Sequence, residues 1–181
     1  ITTHSGCREA PVSSPSAIPS LPESNARVFT LENGLTLIVE EDHSAPVASV
    51  QAWCGTGSIH EGQWLGAGLS HILEHMLFKG TETRGGGEIA KQVQERGGYI
   101  NAYTSFDRTV YWIDVPADGA SEAVDILADT MMNSRLPEEE YAKEQEVIRR
   151  EFAMGFDDPD RVNWKMIMDT VFSESPFQHP V

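Results

Sequence analysis

Cysteine is scarce in this chain, with only Cys7 and Cys54 among 181 residues. Two thiols so far apart exclude a disulfide framework and a cysteine-based zinc site. Basic side chains are also few: 13 Lys and Arg stand against 28 Asp and Glu, a formal net charge of −15. Such a chain repels phosphate backbones, so nucleic-acid binding is not expected. No apolar run approaches the roughly 18 to 20 residues of a membrane helix, so no membrane span is predicted. Gly85-Gly86-Gly87 lacks a following G-K-[ST], which leaves it a flexible loop rather than a phosphate cradle. What is present suffices for a core. Apolar residues make up 40%, and the length suggests one domain.

The acid surplus is uneven. Residues 1–113 carry 12 acids and 7 bases, whereas residues 114–181 carry 16 and 6. Two readings follow, a solvated helix face or an acidic wall facing a basic partner. Residues 1–26 are rich in Ser, Pro and Ala and bury too little to order themselves, so they read as a disordered tail or tether. Within them Ser5-Gly6-Cys7 weakly resembles a bacterial lipoprotein processing site, although His4 stands where an aliphatic residue belongs. That leans the compartment toward a bacterial cell envelope or periplasm, with cytoplasm or mitochondrial matrix left open. The chain starts at Ile1 and stops in a turn-like stretch at Pro176 to Val181. It reads as a piece of something longer.

Asn33-Gly34 between the β-prone runs 28–31 and 35–39 predicts a hairpin, since both residues accept positive φ. A third strand is expected over residues 46–53. The period then turns helical over residues 67–78, with Leu69, Ile72, Leu73, Met76 and Leu77 as the apolar stripe. A short helix over 88–96 closes at Gly97-Gly98. Strands are expected over 99–104 and 109–115, around a turn at Ser105 to Arg108. Three helices follow, over 117–134 (stripe Ala120, Val124, Leu127, Ala128, Met131), 137–154 and 161–172. The sum is an α+β fold, a mainly antiparallel mixed sheet covered by helices. Cys54 reads as a small core residue, and the four tryptophans as core or interface residues.

His71-Ile72-Leu73-Glu74-His75 carries the chemistry. On a helix, residues i and i+4 share a face, so two imidazoles can aim at one ion. Zinc accepts such nitrogens, takes a third protein ligand and leaves a fourth position for water. Glu74 can lie beside the ion without binding it, and a carboxylate there can deprotonate the attacking water. The triple matches the inverted zincin signature H-x-x-E-H. Chance spacing on an ordinary helix is the competing explanation. A third ligand should come from the acidic helix 143–151, where Glu144 and Glu151 stand seven apart on one face.

Together these features resemble the first domain of the pitrilysin family of metallopeptidases, which includes insulin-degrading enzyme and the mitochondrial processing peptidase. In that family H-x-x-E-H is followed some 75 residues later by a metal-binding Glu within an E-x(6)-E helix. Here 75 residues separate His75 from Glu151. The continuation His75-Met76-Leu77-Phe78-Lys79-Gly80-Thr81 and the stretch Gly97-Gly98-Tyr99-Ile100-Asn101-Ala102-Tyr103-Thr104 are similar to family patterns. So are Asn33-Gly34-Leu35 and the closing His179-Pro180. The resemblance covers residues 27–181. It implies an α/β roll in which His71, His75 and Glu151 hold one Zn2+ and Glu74 is the general base. Glu144 would be a second acid in the catalytic site, orienting or charging it. Residues 99–104 would receive a peptide by strand addition, with Asn101, Ala102 and Tyr103 contacting substrate. It further implies a C-terminal partner domain or second subunit that closes a chamber around short or unfolded polypeptides.

The leading expectation is therefore a zinc-dependent endopeptidase. The alternatives are a non-catalytic paralogue or scaffold subunit of the same family, and a metal-binding structural domain.

Overall fold

The computed structural model describes residues 24–179 and 181. The tail read over residues 1–26 lies, up to residue 23, outside the described residues, as does Cys7. The chain divides into two units, the first ending at Ser44 and the second running from Ala45 to Val181.

The first unit holds the expected hairpin. Strand β1 (Arg27–Thr30) pairs antiparallel with β2 (Thr36–Val39), with Thr30 opposite Thr36. Gly34 takes φ +86° at the turn, which a side chain at this position would resist. The Asn33 carboxamide oxygen accepts from the Leu35 backbone N–H at 3.1 Å.

In the second unit, β3 (Val47–Cys54), β4 (Tyr99–Thr104) and β5 (Thr109–Pro116) form a sheet in the order β3-β5-β4. Every described pairing is antiparallel, in keeping with the expected mainly antiparallel sheet flanked by helices. Strand β5 is central and its inner face is the most apolar of the three. Tyr111, Ile113 and Val115 are buried beside Ala48, Val50 and Ala52 of β3. Helices α1 (Leu69–Leu77), α2 (Glu88–Glu95) and α3 (Ala120–Asn133) cover this face through Leu77, Ile89, Val93, Ala123, Ile126 and Leu127. Phe78, just after α1, meets Tyr111 edge-on at 5.7 Å between ring centres. Gly98 is fixed by a close approach: a Cβ there would fall 2.6 Å from Val115 and 2.7 Å from the Asp114 carbonyl oxygen.

Two longer helices follow, α4 (Glu138–Phe156) and α5 (Pro159–Val171). Glu138, Glu139 and Glu140 occupy the first turn of α4, where the helix dipole favours negative charge. Asp158 caps α5 by accepting from the Asp160 and Arg161 N–H groups, with Pro159 at the first helical position. That signal starts α5 two residues before the predicted boundary.

Two sequence expectations shift. The buried face of α3 is Ala123, Ile126, Leu127 and Thr130, while Val124 of the expected stripe is exposed. Thr130 can enter the core because its hydroxyl donates to the Ile126 carbonyl at 2.8 Å. Trp53, Trp64 and Trp164 are exposed rather than core residues.

Candidate metal centre

Helix α1 presents His71 and His75 on one face, and its start is held from outside. The Glu61 carboxylate accepts from the Gly68 N–H at 3.2 Å and the Ser70 N–H at 2.8 Å. It thereby satisfies two amides that a helix start leaves without partners. Helix α4 crosses α1 and brings Glu144 and Glu151 to the same place.

Three ligand-type atoms converge. Nε2 of His75 lies 3.2 Å from Nε2 of His71. Oε2 of Glu151 lies 3.5 Å from the His71 nitrogen and 3.7 Å from that of His75. A tetrahedral ion with bonds of about 2.0–2.1 Å sets its ligands about 3.3–3.4 Å apart. The three atoms thus stand at close to the spacing one ion would impose, and the donor set of two imidazoles and a carboxylate suits zinc.

The remaining groups act on these three. Nδ1 of His75 is 2.8 Å from the Glu144 carboxylate. A carboxylate only accepts, so Nδ1 carries the proton and Nε2 is left with a lone pair for a metal. Glu144 is itself buried and 2.6 Å from the Lys79 ammonium. Burial tends to raise its pKa, but the hydrogen bonds from Lys79 and His75 outweigh this and hold it below the usual carboxylate value. Burial lowers the pKa of His71, and the neighbouring His75 lowers it further, which favours the neutral, ligating form. Glu74 points from the same helix toward the sheet, where the Thr104 hydroxyl donates to its Oε2 at 2.6 Å. One carboxylate oxygen is thereby engaged and the other is left for chemistry.

These groups border an open cleft of about 700 Å³, which also runs along Asn101, Ala102, Tyr103 and Thr104 of β4. Among the described residues β4 pairs only with β5, so its other edge offers backbone donors and acceptors. The Asn101 amide donates to the Tyr99 hydroxyl at 2.6 Å, and the Tyr103 hydroxyl accepts from Arg108 at 3.1 Å. Ala102 packs toward the core. The structure therefore gathers His71, Glu74, His75 and Glu151 with all three expected substrate-contact residues around one cleft. Glu144 stands behind His75 instead of on the cleft wall.

Sequence reasoning gave no site role to Lys79, Glu61 or Arg161, the last of which also lines the cleft, and it placed Thr104 in the peptide-receiving strand without foreseeing its bond to Glu74. Lys79 lies two residues beyond the end of α1, close in sequence to His75. The other three reach the site only through tertiary contacts.

The family model described as Insulinase (Peptidase family M16) matches residues 36–181. An uncharacterized zinc protease of Rickettsia felis is 36% identical over 159 residues, 88% of this chain and 38% of that protein. A protein of Arabidopsis thaliana named "Probable mitochondrial-processing peptidase subunit beta, mitochondrial" is 37% identical over 159 residues, 88% of this chain and 29% of its own. The chain thus spans less than two-fifths of these relatives. Among solved structures, a protease from Helicobacter pylori superposes with a TM-score of 0.81 at 28% identity, covering 86% of this chain and 38% of that one. A peptidase M16 inactive domain from Pseudomonas fluorescens shares the fold, with a TM-score of 0.75 at 18% identity. Motif spacing, sheet-and-helix architecture and a match over most of the sequence agree, and the chain belongs to the insulinase family of peptidases, M16.

Proposed function

We propose that this chain carries the hydrolytic site of a zinc-dependent endopeptidase acting on peptides or unfolded polypeptides. The observation that carries the reading is the near-tetrahedral spacing of His71, His75 and Glu151, with Glu74 beside that cluster and bonded to Thr104. A zinc ion held by those three would supply Lewis acidity for an attacking water and a scissile carbonyl. The chain's own residues do the rest. The free edge of β4 holds an extended peptide through backbone hydrogen bonds, with little demand on side chains. Glu74 takes a proton from water as its oxygen bonds to the carbonyl carbon. As the C–N bond breaks, Glu74 returns that proton to the departing amine. Thr104 keeps the carboxylate turned toward the cleft, and Glu144 with Lys79 keeps the His75 ring in register.

Because the chain spans only part of its relatives' length, the chamber closes in this reading with a further C-terminal domain or a second subunit. Relatives named from bacteria and from a mitochondrion put the family in both settings. No described helix is long and apolar enough to cross a membrane.

Glu74→Gln in the full-length protein should retain zinc and lose peptide hydrolysis by roughly 10²–10⁴-fold. Glu151→Gln should lose zinc. Metal content is read by atomic spectroscopy and cleavage by a quenched fluorescent peptide. Undiminished cleavage by the Glu74 variant would remove it as general base. A wild-type protein that binds zinc but cleaves nothing would favour the non-catalytic scaffold.

A further inference from the structure

The cleft holds a cation that the hydrolytic chemistry does not use. Two basic side chains line it, Lys79 and Arg161. Lys79 is neutralised by Glu144 at 2.6 Å. Arg161 is not neutralised to the same degree. Among the described residues its only ion pair is from Nε to Asp158 Oδ2, at 3.7 Å. The other oxygen of Asp158 is already committed to capping α5. Among the described residues the guanidinium pairs with no carboxylate other than that of Asp158, and its terminal amino groups form the planar fork that suits one.

Beyond that i,i+3 pair, local structure gives this residue no further partner among the described residues. Arg161 sits in the first turn of α5, where the helix dipole disfavours positive charge. Its side chain lies across Gly155, whose Cβ position would be 3.8 Å from both Cδ and Nη1 of Arg161. Gly155 is four residues beyond Glu151 on α4, one turn along the same face. Gly155, which the Arg161 side chain overlies, thus stands about 6 Å along α4 from Glu151, a rise spanned by about two residues of extended peptide. The carboxylates on the cleft wall, Glu74 and Glu151, are given over to the metal site. The other acids of the second half lie elsewhere, several in pairs on helix surfaces such as Glu140–Lys143, Glu146–Arg150 and Asp169–Lys165. An acidic wall selecting basic peptides therefore does not form here among the described residues.

The geometry points to Arg161 as a specificity-determining residue that receives an acidic substrate side chain two to three positions from the scissile bond. The inference rests on the peptidase reading for what occupies the cleft, and it is separable from that reading by a binding measurement. In the full-length, zinc-loaded protein, matched fluorescent peptides carry Glu, Gln or Lys at each position around the cleavage site. Their affinities are measured by anisotropy in the Glu74→Gln background, and their kcat/KM values in the wild-type background. At one position Glu should be preferred over Lys by about fivefold, the scale of a partly exposed ion pair, and the preference should shrink with added salt. Arg161→Gln should level the three peptides, and Arg161→Glu should invert the order. Equal affinities for all three peptides at every position would overturn the inference, as would a preference that survives Arg161→Glu. Arg161-dependent binding without any cleavage would sustain it while overturning the hydrolytic role.

Discussion

Glu144 lies 2.8 Å from Nδ1 of His75, a candidate ligand, and 2.6 Å from the Lys79 ammonium. Removing its charge while keeping its shape should loosen the ring that it orients. Glu144→Gln is expected to weaken zinc binding by about 10–100-fold, read by competition with a chromophoric chelator. An unchanged affinity would assign Glu144 to the Lys79 pair alone. Asp129 is a second buried carboxylate, and its task is structural. Hydrogen bonds from Asn133 at 2.8 Å and Thr81 at 2.7 Å outweigh the effect of burial, and with Arg84 and Thr83 they hold its pKa far below the ordinary value of 3.8. A group depressed in this way stabilises the fold above its unfolded value, and that stabilisation fades as pH falls through the folded one. Asp129→Asn should therefore cost about 1–3 kcal/mol at pH 7, because Arg84 loses a charged partner. The gap to wild type should narrow as pH drops below about 3.8. Thermal melts across this range check it, and a gap constant with pH would contradict the ionised state.

At the scale of elements, the histidine helix depends on a cap from outside itself. Glu61→Ala leaves the Gly68 and Ser70 amides without their acceptor and should cost about 1 kcal/mol. It should also weaken zinc binding, since Ser70 directly precedes His71; a lowered melting temperature with unaltered zinc affinity would limit Glu61 to stability. The elements themselves were largely legible in the sequence. Asn33-Gly34, the period change near residue 69 and the Gly97-Gly98 stop are local signals, and each lies where local chemistry dictates it. The shared face of the two candidate ligands His71 and His75 was legible for the same reason, since i and i+4 on a helix is a local relation. What was illegible is tertiary. The phase of α3 depends on which neighbours its faces meet, so Thr130 is buried and Val124 is not. Thr104 reaches Glu74 across thirty residues, and nothing near Arg161 in sequence announces the cleft.

For the molecule as a whole, the candidate ligands tie α1 to α4, so an ion bound there would join two helices that are about seventy residues apart in the chain. Zinc at a hundred times its dissociation constant should add about 2.7 kcal/mol of stability. A chelator should reverse the rise in melting temperature, and Glu151→Gln should abolish it. The same melting temperature with and without zinc would argue against the three-residue site. The sheet adds a consequence for how the protein folds. Strand β5 is paired on one side by β4, a hairpin neighbour, and on the other by β3, with Cys54 opposite Thr109. Between β3 and the β4–β5 hairpin, residues 55–98 lie outside the sheet, and they include the whole of α1. Closing so long a loop carries an entropic cost that only the completed β3–β5 ladder can offset. The β4–β5 hairpin can form early and quickly, whereas the candidate metal site needs α1 to meet α4, which follows it by about sixty residues. Refolding should therefore recover sheet signal before it recovers metal affinity.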